Sequence, residues 1–105
     1  MSDSRKYKVI ISDKAKNMLG AHIRFTAQIS KEAAEKIRES LITALNSLSQ
    51  MPQRNPFFNG TFIPHNKYHK MLVEKRYLII YQIQDDTAAV DYILDCRSDY
   101  DWLVH

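Results

Sequence analysis

Tyr77-Leu78-Ile79-Ile80-Tyr81-Gln82-Ile83-Gln84 is the stretch on which the reading of this chain turns. It is rich in β-branched and aromatic side chains, and Glu74-Lys75-Arg76 and Asp85-Asp86-Thr87 bound it with turn-like polar residues. That pattern predicts a strand. Side chains alternate along a strand, so Tyr77, Ile79, Tyr81 and Ile83 share one face while Leu78 and Ile80 share the other. Apolar residues on both faces place such a strand in the middle of a sheet. The short turns on either side require antiparallel neighbours. Those neighbours are Tyr68 to Val73 before it and Ala88 to Asp95 after it, which makes a three-strand meander.

Towards the N-terminus, Tyr7-Lys8-Val9-Ile10-Ile11-Ser12 reads as another short strand. Ser12 or Asp13 can cap a helix whose apolar stripe is Ala15, Met18, His22, Phe25 and Ile29, at spacings of three and four. Ser30-Lys31-Glu32 marks a break and a fresh N-cap, with Glu32 facing the positive end of the new helix dipole. Ala34, Ile37, Leu41, Leu45 and Leu48 form the second stripe, and Pro52 stops that helix. So short a joint makes the two helices a hairpin. Pro52 to Asn66 reads as irregular, with Pro56, Asn59-Gly60 and Pro64 as turn residues and Phe57, Phe58 and Phe62 pinning the loop to the core. The expected class is α+β, ordered β-α-α-β-β-β, with the helical hairpin on one face of a small, mainly antiparallel sheet.

The chain has 105 residues, a length that fits one domain spanning 1–105. Its single cysteine, Cys96, excludes an internal disulfide and suits a reducing cytoplasm. The N-terminus lacks the apolar run of a signal peptide, and no stretch approaches the length of about 18 apolar residues expected of a membrane span. The expectation is a soluble, cytoplasmic protein that is not inserted in a membrane. Net charge is +3, but residues 1–76 carry 14 Lys/Arg against 6 Asp/Glu, whereas residues 77–105 carry Arg97 against 6 Asp. The basic majority can draw a polyanion or an acidic protein.

Several chemistries find little footing. His65 and His69 are four apart, but Pro64 and Asn66 oppose a helix that would align them, and Cys96 has no second cysteine, so no metal is expected. Neither a Gly-x-Ser-x-Gly elbow nor a glycine-rich phosphate loop occurs, and no cofactor is expected. The basic and aromatic run Pro64-His65-Asn66-Lys67-Tyr68-His69-Lys70, followed by Lys75 and Arg76, carries more information. Lysine and arginine neutralise phosphates, and tyrosine or histidine stacks on unpaired bases. The same run also suits a charged edge strand protected from aggregation. Asp95-Cys96-Arg97-Ser98-Asp99-Tyr100-Asp101-Trp102 sets one arginine and two aromatics among acids. Arg97 there can pair with Asp95 or Asp99, or its planar fork can hold a phosphate.

Taken together, the pieces resemble the RelE/ParE toxin superfamily, also described as plasmid stabilisation proteins. The opening Tyr7-Lys8-Val9-Ile10-Ile11-Ser12-x-x-Ala15 carries the likeness, as does the hairpin ending Leu45-x-x-Leu48-x-x-Met51-Pro52. So do Lys67-Tyr68-His69-Lys70-x-Leu72 with the strand from Tyr77 to Ile83, and the ending Val90-Asp91-Tyr92-Ile93-Leu94-Asp95-Cys96-Arg97. The resemblance implies the toxin of a type II toxin–antitoxin system, held inactive by a small cognate antitoxin. Its first implication is a RelE-like, metal-independent endoribonuclease that cuts messenger RNA on the ribosome and so inhibits translation. His69 would then be the base, Arg97 the phosphate clamp and Tyr100 a stacking or proton-donating group, while Lys67, Lys70, Lys75 and Arg76 bind RNA. The alternatives are a ParE-like, non-enzymatic inhibitor of DNA gyrase, or an inactive homologue that still binds antitoxin. RelE-like nucleases carry an arginine directly after the tyrosine that opens the central strand, and here that place is Leu78.

Overall fold

Five strands form one sheet in the order β1-β5-β4-β3-β2 in the computed structural model, which describes residues 6–60 and 63–97. The strands are β1 (Lys8–Ile11), β2 (Phe57–Gly60), β3 (Ile63–Val73), β4 (Tyr77–Gln84) and β5 (Thr87–Asp95). β4 is central, as its two apolar faces require, and Tyr77, Ile79, Ile80 and Tyr81 are all fully buried. β3, β4 and β5 are the expected antiparallel meander, and β1 adds to β5 in parallel, Lys8 opposite Thr87 through Ile11 opposite Val90.

Helices α1 (Asp13–Ala27) and α2 (Lys31–Ser47) form the hairpin between β1 and the meander. Ser12, rather than Asp13, caps α1: its Oγ accepts from the Ala15 N–H at 3.0 Å. Ser30 caps α2 in the same way, accepting from the Ala33 N–H at 3.1 Å. Each cap satisfies one of the amide donors that a helix start leaves open, worth about 1 kcal/mol. Leu41, Leu45 and Leu48 drive α2 onto the sheet face made by Val73, Tyr77, Ile79, Tyr81, Val90 and Ile93. Burying each leucine contributes roughly 1.5–3 kcal/mol.

α1 has a second task. β1 ends opposite Val90, which would leave the rest of the β5 edge open. The Ser12 N–H donates to the Val90 carbonyl (2.9 Å), Ser12 Oγ donates to Asp91 O (3.3 Å) and His22 Nε2 donates to Ile93 O (2.7 Å). The helix thus occupies acceptors that a bare edge would present to another chain.

Two expectations change. The stretch from Pro52 to Asn66 is not irregular throughout: a 3-10 turn, Pro52–Arg54, leads into β2, and β3 begins at Ile63. Turn residues at Asn59-Gly60 announce the reversal, and the strand pairing Phe57 with His69 and Phe58 with Tyr68 is a tertiary event that local composition does not reveal. Phe58 is buried as expected, Phe57 is 45% exposed, and Phe62 lies outside the described residues. On α1, the stripe fails at its far end. Phe25 is 54% and Ile29 77% exposed, because the inward position there belongs to Thr26, whose Oγ1 donates to His22 O at 3.0 Å.

Candidate functional site

Three features surround the sequence-derived residues. The first is a ring stack on the helix side of β3. His69 is only 8% exposed; its ring lies 5.5 Å from that of Tyr81 and 4.4 Å from that of Phe57. Its Nδ1 donates to Asn55 O at 2.7 Å. Asn55 in turn donates its amide to the Tyr81 hydroxyl (2.8 Å), and that hydroxyl donates to Pro52 O (2.7 Å). Burial pushes the Tyr81 phenol pKa up. Within this network His69 anchors the segment between α2 and β2 to the sheet.

The second feature is the basic turn between β3 and β4. Glu74 (φ 54°) and Lys75 (φ 55°) both adopt left-handed backbone, and the Arg76 N–H closes the turn on Val73 O at 3.1 Å. Two-residue turns of this kind favour Asn-Gly, so Glu and Lys carry strain there. Ser40 on α2 donates to Glu74 Oε2 at 2.7 Å and holds the turn. Beside it, the Arg76 guanidinium meets Asp95 Oδ2 at 3.0 Å, and the Arg97 N–H donates to Asp95 Oδ1 at 2.9 Å. The bond to Asp95 raises the Arg76 pKa. Asp95, one of the two acids expected to pair with Arg97, therefore holds the Arg76 guanidinium; Asp99, the other, lies outside the described residues, and Arg97 itself is exposed.

At one end of the sheet Asp95 thus holds the Arg76 guanidinium and the Arg97 backbone N–H, with Lys75 in the adjoining turn. His69 does not join them. Val73 pairs with Tyr77, and Tyr77 with Asp95, so Arg97 lies beyond that row. His69 pairs with Tyr81, four residues up the strand, about 13 Å away at the usual rise. Tyr100 lies outside the described residues. Leu78, which the resemblance sets where RelE-like nucleases carry an arginine, is buried.

The third feature is a groove of about 710 Å³ between α2 and β3, lined by Lys36, Glu39, Ser40 and Thr43 on one wall and Met71 and Leu72 on the other. β2 stops short of it. The last pair is Phe57 with His69, and the last bond across is from Lys70 N–H to Pro56 O, at 3.0 Å. In an antiparallel strand every second residue points its N–H and C=O the same way, so Leu72, 56% exposed, aims its backbone pair past the end of β2. A strand edge that no described residue covers, beside an apolar wall, can accept an added strand.

Sequence reasoning missed Tyr81, Asn55 and Asp95 as organisers. The signal for Asp95 is its place two residues before Arg97; its choice of Arg76 depends on strand register. The groove had no local signal, because it exists only where β2 ends early against α2.

Residues 9–100 match the family described as ParE toxin of the type II toxin–antitoxin system, parDE. Among solved structures, the fold is similar to a chain described as the chromosomal ParDE TA system from P. aeruginosa. The TM-score is 0.69 at 15% identity, over 88% of this chain and 98% of that one. No curated protein matches the chain.

Proposed function

The chain belongs to the ParE toxin family of type II toxin–antitoxin systems, and from that premise we propose that it arrests growth as a non-enzymatic inhibitor of DNA gyrase. The observation that carries this reading is the position of His69. Its ring is packed between Phe57 and Tyr81, its Nδ1 is held by Asn55 O, and it is displaced along the sheet from Arg97. General-base catalysis needs the base within hydrogen-bond reach of the proton it takes, with a cation on the same phosphate. Leu78 in place of the nuclease arginine points the same way.

The antitoxin would be a small cognate protein whose extended segment pairs with the free edge at Leu72 and lays apolar side chains into the groove beside α2. Lys36 and Glu39 on the groove wall would fix its direction.

RNA cleavage, with catalytic roles for His69, Arg97 and Tyr100, is the second reading. It keeps in its favour the exposed Arg97 beside Lys75 and Arg76, a cluster able to hold a phosphate. Toxicity of His69→Ala and Arg97→Ala, read with primer extension on ribosome-bound messages after induction, separates the two. The gyrase reading expects intact messages and stalled replication from every toxic variant. New message ends that vanish in Arg97→Ala would replace it with cleavage.

A further inference from the structure

The β2–β3 hairpin carries a reactive group that neither reading of the toxin uses. The asparagines of the chain are Asn17, Asn46, Asn55, Asn59 and Asn66, followed in turn by Met18, Ser47, Pro56, Gly60 and Lys67. An asparagine side chain is open to attack by the amide nitrogen of the next residue, so that neighbour and the local backbone decide which asparagine reacts. Asn17 and Asn46 lie within α1 and α2, where the helix holds the following amide in its own hydrogen bonds. Pro56 has no N–H to give. Lys67 brings a Cβ and a long side chain to the point of attack, and Gly60 brings neither.

Asn59 is exposed and stands at the register shift of the hairpin. Phe58 pairs with Tyr68 and Gly60 with Ile63, so Asn59 alone faces the exposed run from Pro64 to Lys67. A bulge of this kind leaves backbone groups outside the ladder. Asn66 takes left-handed backbone there (φ 58°), and its N–H donates to Asn59 Oδ1 at 2.8 Å. Asn59 Nδ2 reaches Asn66 Oδ1 only at 3.5 Å, the outer limit of a hydrogen bond. A backbone donor thus holds the carbonyl oxygen firmly, while the amide nitrogen is held loosely. That asymmetry suits acyl chemistry. Negative charge develops on the oxygen when its carbon is attacked, and a fixed N–H at that oxygen stabilises it. The nitrogen is the group that has to leave.

We propose that Asn59 is a site of spontaneous deamidation. The Gly60 amide nitrogen attacks the Asn59 side-chain carbonyl carbon, its proton passes to the side-chain nitrogen, and ammonia leaves as a succinimide ring closes across the two residues. Water, the one co-reactant, then adds to a ring carbonyl carbon and breaks its bond to the ring nitrogen, which takes back a proton. Opening at the main-chain carbonyl leaves isoaspartate, and opening at the side-chain carbonyl leaves aspartate. Either product sets a negative charge beside Asn66 Oδ1. Isoaspartate also routes the main chain through the side-chain methylene. That lengthens β2 by one atom between Phe58 and Gly60 and puts them out of step with Tyr68 and Ile63. The hairpin that carries Phe57 onto His69 then loosens, slowly and in one direction, as the chain ages. The reaction needs only the chain and water, so the inference stands apart from the gyrase reading.

The test is mass-spectrometric peptide mapping of the whole protein, aged in mildly alkaline buffer and then digested with trypsin, beside an unaged sample that sets the background. Cleavage after Arg54 and after Lys67 isolates residues 55–67, which hold Asn55, Asn59 and Asn66. The mass should rise by the exchange of NH for O, fragment ions should place that gain at Asn59, and the product should elute as separate isoaspartate and aspartate forms. The rate should climb with pH, because the attacking amide must lose its proton. Asn55, barred by Pro56, should stay unchanged, as should Asn17 and Asn46. Gly60→Ala should cut the gain to the level at Asn66, and Asn59→Gln, whose longer side chain misplaces the carbonyl, should abolish it. Asn66→Gly keeps the left-handed turn and its N–H, and should leave the gain undiminished. In the isoaspartate form, amide exchange should quicken at Asn66 and at Lys70, whose N–H is bonded to Pro56 O. The map of the parent protein carries the test even where a variant fails to fold. The proposal is overturned by no gain at Asn59 above the unaged background, by equal gain at Asn17, Asn46 and Asn66, or by an undiminished gain in Gly60→Ala. Unaltered amide exchange in the isoaspartate form would overturn the loosening of the hairpin.

Discussion

Tyr77 and Tyr81 sit on the same strand, on the same sheet face, both fully buried, yet removing their hydroxyls should have opposite effects. The Tyr81 hydroxyl donates to Pro52 O at 2.7 Å and accepts from Asn55 Nδ2 at 2.8 Å. Tyr81→Phe deletes both bonds and leaves the buried Pro52 carbonyl and the half-buried Asn55 amide short of a partner. A net loss of about 2 kcal/mol follows, lowering the thermal midpoint by on the order of 10 °C for a chain of this size. The Tyr77 hydroxyl is buried with no hydrogen-bond partner among the described residues. Tyr77→Phe therefore removes a desolvated group that nothing repays, and it keeps the ring contacts with His22 and Arg76. Stability should stay level or rise by up to about 1 kcal/mol. Urea titrations of the two variants and their parent, followed by circular dichroism, measure both numbers at once. An Asn55→Ala background should halve the Tyr81→Phe loss, since one of the two bonds is already gone. Equal losses at positions 77 and 81, or a Tyr81→Phe change below about 0.5 kcal/mol, would refute the hydrogen-bond reasoning.

Leu45→Ala, at a fully packed point where α2 meets the sheet, should cost roughly 2–5 kcal/mol in the same titrations; a change of surface size would mean the helix faces the wrong way. Arg76→Ala should cost about 1–3 kcal/mol, because it takes the guanidinium from the buried Asp95 carboxylate while the Arg97 N–H still donates to it, and the added Asp95→Asn change should restore most of the loss. For Tyr68, burial first and the bond to Asp91 second raise the phenol from an ordinary value of 10.0 to about 12. The stability it contributes is whole below pH 10 and disappears as pH climbs towards 12, so Tyr68→Phe should flatten the alkaline fall in thermal midpoint; an unaltered fall would contradict that assignment.

Much of the fold was legible because period and punctuation agree. The alternation from Tyr77 to Gln84 places β4 at the centre, and Ser12 and Ser30 with the stripe at Leu41, Leu45 and Leu48 place the hairpin. What stayed hidden depends on partners distant in sequence. β2 looked like loop because Pro56, Asn59 and Gly60 dominate its composition, and pairing with β3 overrides that local preference. Phe25 and Ile29 fit the helical stripe but extend beyond the core it serves, and nothing in the spacing says where the sheet ends. The candidate site was legible as composition but not as arrangement. Asp95 joins the Arg76 guanidinium to the Arg97 backbone, a link that depends on strand register. His69 was read as an open base, and the fold instead stacks it between Phe57 and Tyr81, rings that lie on two other strands.

Purified gyrase tests the central claim most directly. Supercoiling of relaxed plasmid by gyrase should fall as the purified chain is added, without any change to messenger RNA in a parallel translation reaction, and an excess of its cognate antitoxin should restore supercoiling. Full supercoiling at every toxin concentration, together with cut messages on the ribosome, would contradict it.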